Sequence, residues 1–364
     1  MRWVIRGSDY SHHLAGRARP WSQAQGVWSV NVTVFGADGF VGSHITERLL
    51  RDGHAVTGVD TTAKKLVSRG HPNLTFHCAD VRTSESLLDE VILSADTVVD
   101  LIAHANPSMY VESPLEVFDV NFRANLDIVE RCVRHERRLI QFSSAEVYGT
   151  FATDEPAVTE AMTPLAYGPV EKHRWIYACA KQLLERVIHA YGLEGTLEFT
   201  IIRPFNFVGP RLDYLVAAGS VGGPRVVPHF ISALLTGGPM YLVDGGEGHR
   251  TFLHIDDATD AFMAVLEQPA AAYNRIFNVG APGNDISIRD LAYLLQSLYE
   301  ELTGEASPCE AVTISGEDFY GPGYDDAHRL PPDITAIRAL GWEPRHDLRC
   351  TLSDTLLYYL GNGR

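Results

Sequence analysis

The residues between Asn31 and Asp60 leave few folds open to this chain. Positions 31–35 alternate as a short β-branched strand, and Gly36-Ala37-Asp38-Gly39-Phe40-Val41-Gly42 follows at once. Ile45, Leu49 and Leu50 then recur at helical spacing within 41–52, and 55–59 reads as a second strand ending on Asp60. Glycine permits the tight turn and the close backbone approach that a phosphate needs, and the helix N-terminus that follows attracts negative charge. Strand, glycine loop, helix, strand and acid in this order predict a dinucleotide site. Gly36, Gly39, Phe40, Val41 and Gly42 are the candidates for holding the cofactor. A carboxylate at Asp60 would accept from ribose hydroxyls and repel a 2′-phosphate, so NAD is expected over NADP. Lys64 and Lys65 are the nearby cations that would argue the other way.

The same rhythm continues. Strands are expected at 74–79, 97–103, 139–143 and 199–203, with helices at 115–135 and 175–191. Strands separated by helices pair in parallel through right-handed crossovers. The expectation is an α/β fold, a doubly wound parallel sheet of the Rossmann type with a smaller C-terminal substrate-binding region. Residues 31–205 would bind NAD. Residues 206–364 would mainly bind substrate, with the chain crossing back near 251–266. Residues 1–30 form an extension of unknown role.

Within the second long helix, Tyr177 and Lys181 lie four apart, hence one turn apart on one face. An ammonium beside a phenol favours the phenolate, so Lys181 is expected to lower the pKa of Tyr177 and make it a base for an alcohol proton.

Charge excludes other classes. Net charge is −16 over 364 residues, spread along the chain, which disfavours nucleic acid and anionic membranes. No apolar run approaches a membrane span. Cys78, Cys132, Cys179, Cys309 and Cys350 include no C-x-x-C pair and read as reduced thiols of a cytoplasmic protein. The histidines show no convincing H-x-x-x-H helix, so no metal is expected.

The longer motifs resemble the extended short-chain dehydrogenase/reductase family of nucleotide-sugar enzymes. Arg174-Trp175-Ile176-Tyr177-Ala178-Cys179-Ala180-Lys181-Gln182-Leu183 and Ile202-Arg203-Pro204-Phe205-Asn206-Phe207-Val208-Gly209-Pro210-Arg211 carry the likeness. Asp244-Gly245-Gly246, Arg250-Thr251-Phe252 and Phe319-Tyr320-Gly321-Pro322-Gly323-Tyr324-Asp325-Asp326 extend it. Within the family the chain is similar to UDP-glucuronate decarboxylases, among them the decarboxylating half of a bifunctional polymyxin-resistance enzyme and plant UDP-apiose/UDP-xylose synthase.

The resemblance implies roles. Asp60 would meet the adenosine ribose, and Asp80 with Val81 the adenine. Tyr177 would be the base, Lys181 would hold the nicotinamide ribose, and Ser144 would bond the sugar hydroxyl. Glu146 matches the family's catalytic glutamate. Asn206, Arg225, Arg250 and Tyr324 would bind the UDP-sugar, and Arg329 would meet the carboxylate or protonate the product. The implied reaction is oxidation of UDP-glucuronate at carbon 4 with NAD, loss of carbon dioxide, and release of UDP-xylose or a UDP-4-keto-pentose. A homodimer through a four-helix bundle is implied as well.

Departures qualify this. Ala105 and Ala145 stand where apiose-forming relatives have cysteines, which disfavours ring contraction. Asn106 replaces a threonine and Tyr241 a lysine. The interval from Tyr324 to Arg329 is one residue short, which makes His328 a rival for the role of Arg329. A UDP-glucuronate 4-epimerase would use the same Tyr, Lys and Ser, but Glu146 and the segment 323–326 favour decarboxylation. Ala145 counts against a 4,6-dehydratase. The intact Tyr177 and Lys181 count against a regulator without catalysis.

Overall fold

A computed structural model describes residues 29–150, 157–162, 167–325 and 331–362. Six strands arise in the expected order: β1 (Asn31–Phe35), β2 (Ala55–Asp60), β3 (Leu74–Cys78), β4 (Thr97–Asp100), β5 (Arg138–Phe142) and β6 (Phe199–Pro204). Beyond them come β7 (Phe207–Val208), β8 (Met240–Val243), β9 (His249–Thr251), β10 (Leu253–His254), β11 (Arg275–Val279), β12 (Asp285–Ser287) and β13 (Ala311–Ile314). The main sheet runs β11-β6-β5-β4-β1-β2-β3, parallel throughout. The sequence reading gives no strand at Arg275–Val279, yet this segment completes the sheet beside β6.

Helices α1 (Phe40–Arg51), α2 (Glu85–Ser94), α3 (Pro107–Glu112), α4 (Pro114–Phe118), α5 (Asn125–Arg134), α6 (Ile176–Leu193), α7 (Val226–Thr236) and α8 (Ile255–Glu267) are the ones that shape the site. Neighbouring strand residues face opposite sides of a sheet. Val98 therefore packs into one core with Leu88, Ile128 and Leu184 from α2, α5 and α6. Val99 packs into the other with Ile45 and Leu49 from α1 and Phe262 from α8. Both faces are covered, as a parallel sheet requires, and each buried Leu or Ile contributes about 2 kcal/mol. The strand order reverses between β1 and β4, so the crevice for a ligand opens at the carboxyl ends of these two strands.

The helix expected at 115–135 is not uniform. Between α4 and α5, Asp119–Ala124 winds as a π-helical turn. Its wider turn lets two asparagines serve strand-end carbonyls. Asn121 Nδ2 donates to Val117 O at 2.8 Å and His104 O at 3.3 Å. Asn125 Nδ2 donates to Val120 O at 2.8 Å and Ile102 O at 3.2 Å. After β6 the chain forms three small two-stranded sheets, β7 with β10, β8 with β13 and β9 with β12. Helix α8 then returns along α1 and leads to β11.

Candidate active site

Gly36 leaves β1 at φ 79°, a left-handed turn that favours glycine. A Cβ at Gly42 would stand 1.9 Å from the Gly36 carbonyl oxygen, so no side chain fits there. This contact draws the first turn of α1 onto the end of β1. The first N–H groups of a helix have no intrahelical acceptor, and Phe40, Val41 and Gly42 occupy that turn. The cradle fits a pyrophosphate.

A carboxylate that sequence reasoning passed over locks this loop. Asp38 accepts from Thr62 Oγ1 (2.6 Å), Lys64 N (2.6 Å), Lys65 N (2.7 Å) and Leu66 N (2.8 Å). Burial raises its pKa, but these four donors outweigh burial and hold it below the ordinary value. Asp60 Oδ2 accepts from Asp38 N at 2.9 Å, and burial pushes its carboxyl up. Asp80 caps the turn after β3, accepting from Arg82 N at 2.9 Å and pairing with the Arg82 guanidinium at 2.8 Å, which lowers its pKa. Asp60 ends β2, and Asp80 and Val81 follow β3. All three stand outside the wall of the central cavity, whereas Gly36, Gly39, Phe40, Val41 and Gly42 form part of it.

That cavity encloses about 540 Å³, enough for a nucleotide sugar or part of a dinucleotide. Ser144, Glu146, Tyr177, Asn206, Arg225, Arg250 and Tyr324 all line it. Arg329 and its rival His328 lie outside the described residues. Tyr177 projects from the first turn of α6 and stacks on Tyr110, with ring centroids 4.7 Å apart. Burial raises the pKa of its phenol. The hydrogen bond with Ser144 and the charge of Arg225 pull it down without cancelling that effect.

This corrects the expectation that Lys181 lowers it. The Lys181 ammonium is buried and turned into the strand ends, donating to Phe142 O (3.1 Å), Asn125 Oδ1 (3.4 Å) and Ile102 O (3.5 Å). Helical spacing puts both residues on one face but does not set the depth at which a long side chain ends.

Ser144 caps the short turn Ala145–Tyr148, its hydroxyl accepting from Glu146 N at 3.1 Å. That turn points Glu146 at Arg174, with contacts of 2.8 and 3.2 Å. Arg174 is almost fully buried and its guanidinium lies 4.7 Å over the Trp175 ring. Arg174 was missed as a site residue; its signal was its place three before Tyr177 in the long motif.

Asn206 sits at φ 39°, which asparagine tolerates, and donates to Thr251 O at 3.0 Å. Arg225 is half-buried, bonded to Asp213 at 2.9 and 3.1 Å. Tyr324 stacks on Tyr320 at 4.3 Å, and its carbonyl accepts from Lys172. Tyr241 packs beside His229 and Phe319.

One group of potential metal ligands stands among the described residues: His254, Asp256 and His346. Other duties occupy it. His254 Nδ1 accepts from Asp256 N, His346 Nδ1 meets the buried Asp257, and the two rings stack at 4.2 Å. Near-parallel rings cannot both aim a lone pair at one ion.

A glycine-loop crevice at a strand-order reversal, sharing one cavity with a serine-bonded tyrosine, is the arrangement of a dinucleotide-dependent enzyme. The sequence matches the NAD dependent epimerase/dehydratase family over residues 32–280, and the chain belongs to that family, with NAD as cofactor. It is 39% identical over 354 residues to UDP-D-apiose/UDP-D-xylose synthase 1 of Arabidopsis thaliana, covering 90% of this chain and 91% of that one. Identity to UDP-D-apiose/UDP-D-xylose synthase of Oryza sativa subsp. japonica is 40%, with 90% and 89% covered. The crystal structure of PbgP3 protein from Burkholderia pseudomallei aligns with TM-score 0.81 at 32% identity, covering 92% of this chain and 97% of that one. No helix among the described residues is long and apolar enough to cross a membrane.

Proposed function

We propose that this enzyme decarboxylates UDP-glucuronate through a 4-keto intermediate, giving UDP-xylose or a UDP-4-keto-pentose. The observation that carries the reading is the placement of Glu146, ion-paired to Arg174, in the same cavity wall as Ser144 and Tyr177. Gly36, Gly39, Phe40, Val41, Gly42, Asp60, Asp80, Val81 and Lys181 hold NAD, which when bound takes two electrons from sugar carbon 4. Tyr177 accepts the proton of the carbon 4 hydroxyl, and Ser144 donates to the oxygen left behind. A ketone at carbon 4 makes the carbon 5 carboxylate a β-keto acid, which loses carbon dioxide readily. Ser144 and Tyr177 then donate to the enolate as its charge develops. Glu146, held by Arg174, serves the proton that carbon 5 gains as the enolate collapses. Return of the two electrons to carbon 4, with the proton held by Tyr177, would give UDP-xylose. Release before that return would give the UDP-4-keto-pentose. Asn206, Arg225, Arg250 and Tyr324 bind the UDP-sugar, and Arg329 meets its carboxylate end.

Residues 31–205 hold the cofactor, while 206–364 mainly hold substrate. Ala105 lines the cavity and Ala145 is buried beside Val147, so the site offers no thiol at either position for ring contraction to apiose. The chain works as a cytoplasmic homodimer. Five free cysteines suit a reducing compartment, and Leu115, the stacked Phe118–Phe122 pair and Leu183 give α4–α6 an apolar outer face. Light scattering at micromolar concentration tests the dimer.

The reaction is tested by incubating the protein with UDP-glucuronate and catalytic NAD. Carbon dioxide, absorbance at 340 nm and the product by NMR are followed together. Carbon dioxide without a lasting absorbance rise means a redox-neutral decarboxylase. A lasting, stoichiometric rise means release of the 4-keto product. UDP-galacturonate without carbon dioxide would overturn the reading in favour of the 4-epimerase.

A further inference from the structure

Asp100 is the last residue of β4, paired in register with Phe35 of β1 and Gln141 of β5, and it is fully buried. Its Oδ1 accepts from Ile102 N at 3.0 Å, its Oδ2 meets no donor at full hydrogen-bond geometry among the described residues, and the nearby Gln141 side-chain amide helps its charged form. A buried carboxylate oxygen without a donor costs several kcal/mol unless a cation compensates it. Across the same layer lies Lys181, whose three acceptors, Phe142 O, Asn125 Oδ1 and Ile102 O, are all neutral. Two residues join these groups. Ile102 gives its N–H to Asp100 and its carbonyl to Lys181. Gln141 Nε2 donates to Asp100 O and to Asn125 Oδ1, the oxygen that also receives Lys181.

The other titratable groups around the pair are already spoken for. On α6 itself, Glu185 is bonded to Arg203 of β6 at 3.0 and 2.6 Å, and Tyr177 belongs to the cavity. From α5, the Cys132 thiol is buried and kept protonated by burial and by the charge of Asp100. Asp100 is thus the acid facing Lys181 with no cation bonded to it.

We propose that Asp100 is a positioning residue, the counter-charge that keeps Lys181 protonated in its buried seat. The assignment rests on the role given to Lys181 under the proposed function. Burial pulls the Lys181 ammonium down to about 8, while Asp100 and Glu185 push against that fall. Burial lifts Asp100 to about 6, with Lys181 opposing. Loss of the carboxylate leaves Lys181 easier to deprotonate, and a neutral lysine no longer helps hold an anionic dinucleotide.

NADH binding, followed by fluorescence between pH 6 and 9.5, tests this in the wild type, Asp100→Asn and Lys181→Met. Wild-type affinity should fall above about pH 8, and the fall in Asp100→Asn should begin on the order of one pH unit lower. Lys181→Met should bind weakly without a break in that range. A break at the same pH in wild type and Asp100→Asn, whether the profiles superimpose or run parallel, would overturn the proposal, because a purely structural asparagine defect weakens binding equally at every pH.

Stability supplies a second reading if Asp100→Asn folds poorly. In Lys181→Met the lone Asp100 carboxylate should make melting temperature fall more steeply from pH 5 to 8 than in the wild type. Lys181→Met with Asp100→Asn should lose that slope. Equal slopes in the wild type and Lys181→Met would also overturn it. If UDP-glucuronate is the wrong substrate, the wild type releases no carbon dioxide while the NADH profiles stand unchanged.

Discussion

Replacing Glu146 by Gln separates what the Glu146–Arg174 pair does for the fold from what it does for chemistry. Arg174 has 3% of its side chain exposed and Glu146 has 14%, so the pair is largely desolvated. Removing one charge from a buried pair costs about 3–5 kcal/mol, because the partner stays buried without compensation. Glutamine keeps one acceptor oxygen for the guanidinium and Glu146 touches some solvent, which favours about 3 kcal/mol. For a chain of this length the melting temperature moves by roughly 1–1.5 °C per kcal/mol, so the expected loss is about 4 °C. Adding Arg174→Met removes the stranded cation and should restore part of that loss, the glutamine amide at position 146 keeping its own contact with solvent. Turnover should behave differently. A lost acid–base group costs about 10²–10⁴-fold, and kcat for carbon dioxide release should fall by that much in the single and the double variant alike. Melting curves and coupled carbon dioxide assays on the four proteins give the complete cycle. If the double variant recovers turnover along with stability, Glu146 is only a partner for Arg174 and the chemical role assigned to it is wrong.

Tyr177→Phe should abolish turnover while NAD binding, measured by calorimetry, stays within a few-fold; measurable carbon dioxide release would remove Tyr177 as the base. Gly42→Ala should cost on the order of 3 kcal/mol and at least ten-fold in NAD affinity, because its Cβ meets the Gly36 carbonyl; a variant that melts and binds like the wild type would contradict the close approach. Asp38→Asn should destabilise the enzyme by about 2–4 kcal/mol by orphaning backbone donors of 64–66. Because the folded pKa of Asp38 is depressed, its stabilisation is present above the unfolded value and lost as pH falls through the folded one. The wild type and Asp38→Asn should therefore differ most near neutral pH and converge in acid, and a constant difference down to pH 3 would count against this.

Local pattern carried the core of the fold. β-branched alternation and helical spacing located β1 to β6, because both reflect burial against a neighbouring layer. β11 escaped because five residues beginning with an exposed Arg275 look like any short run until β6 offers its edge. The π-helical turn at Asp119–Ala124 was invisible for a similar reason: asparagine is drawn inward there by carbonyls of residues 102 and 104, supplied by another part of the chain. In the site, spacing brought Tyr177 and Lys181 to one helical face but not the depth of the ammonium. Arg174 and Glu146 lie in separate segments and meet only through the fold.

The position of β11 also bears on how this enzyme could be divided or rebuilt. Everything from residue 205 to 274 is an excursion between two adjacent strands of one sheet, leaving at the end of β6 and re-entering at the start of β11. Because these strands are parallel, the exit and the re-entry stand at opposite ends of the strands, and α8 runs back along the sheet between them. A fragment stopped at residue 205 would lack an outer strand and bare the flank of β6 to other chains. A transplanted specificity region would have to keep α8 as its return path, so the unit of exchange includes the bridge as well as the loops.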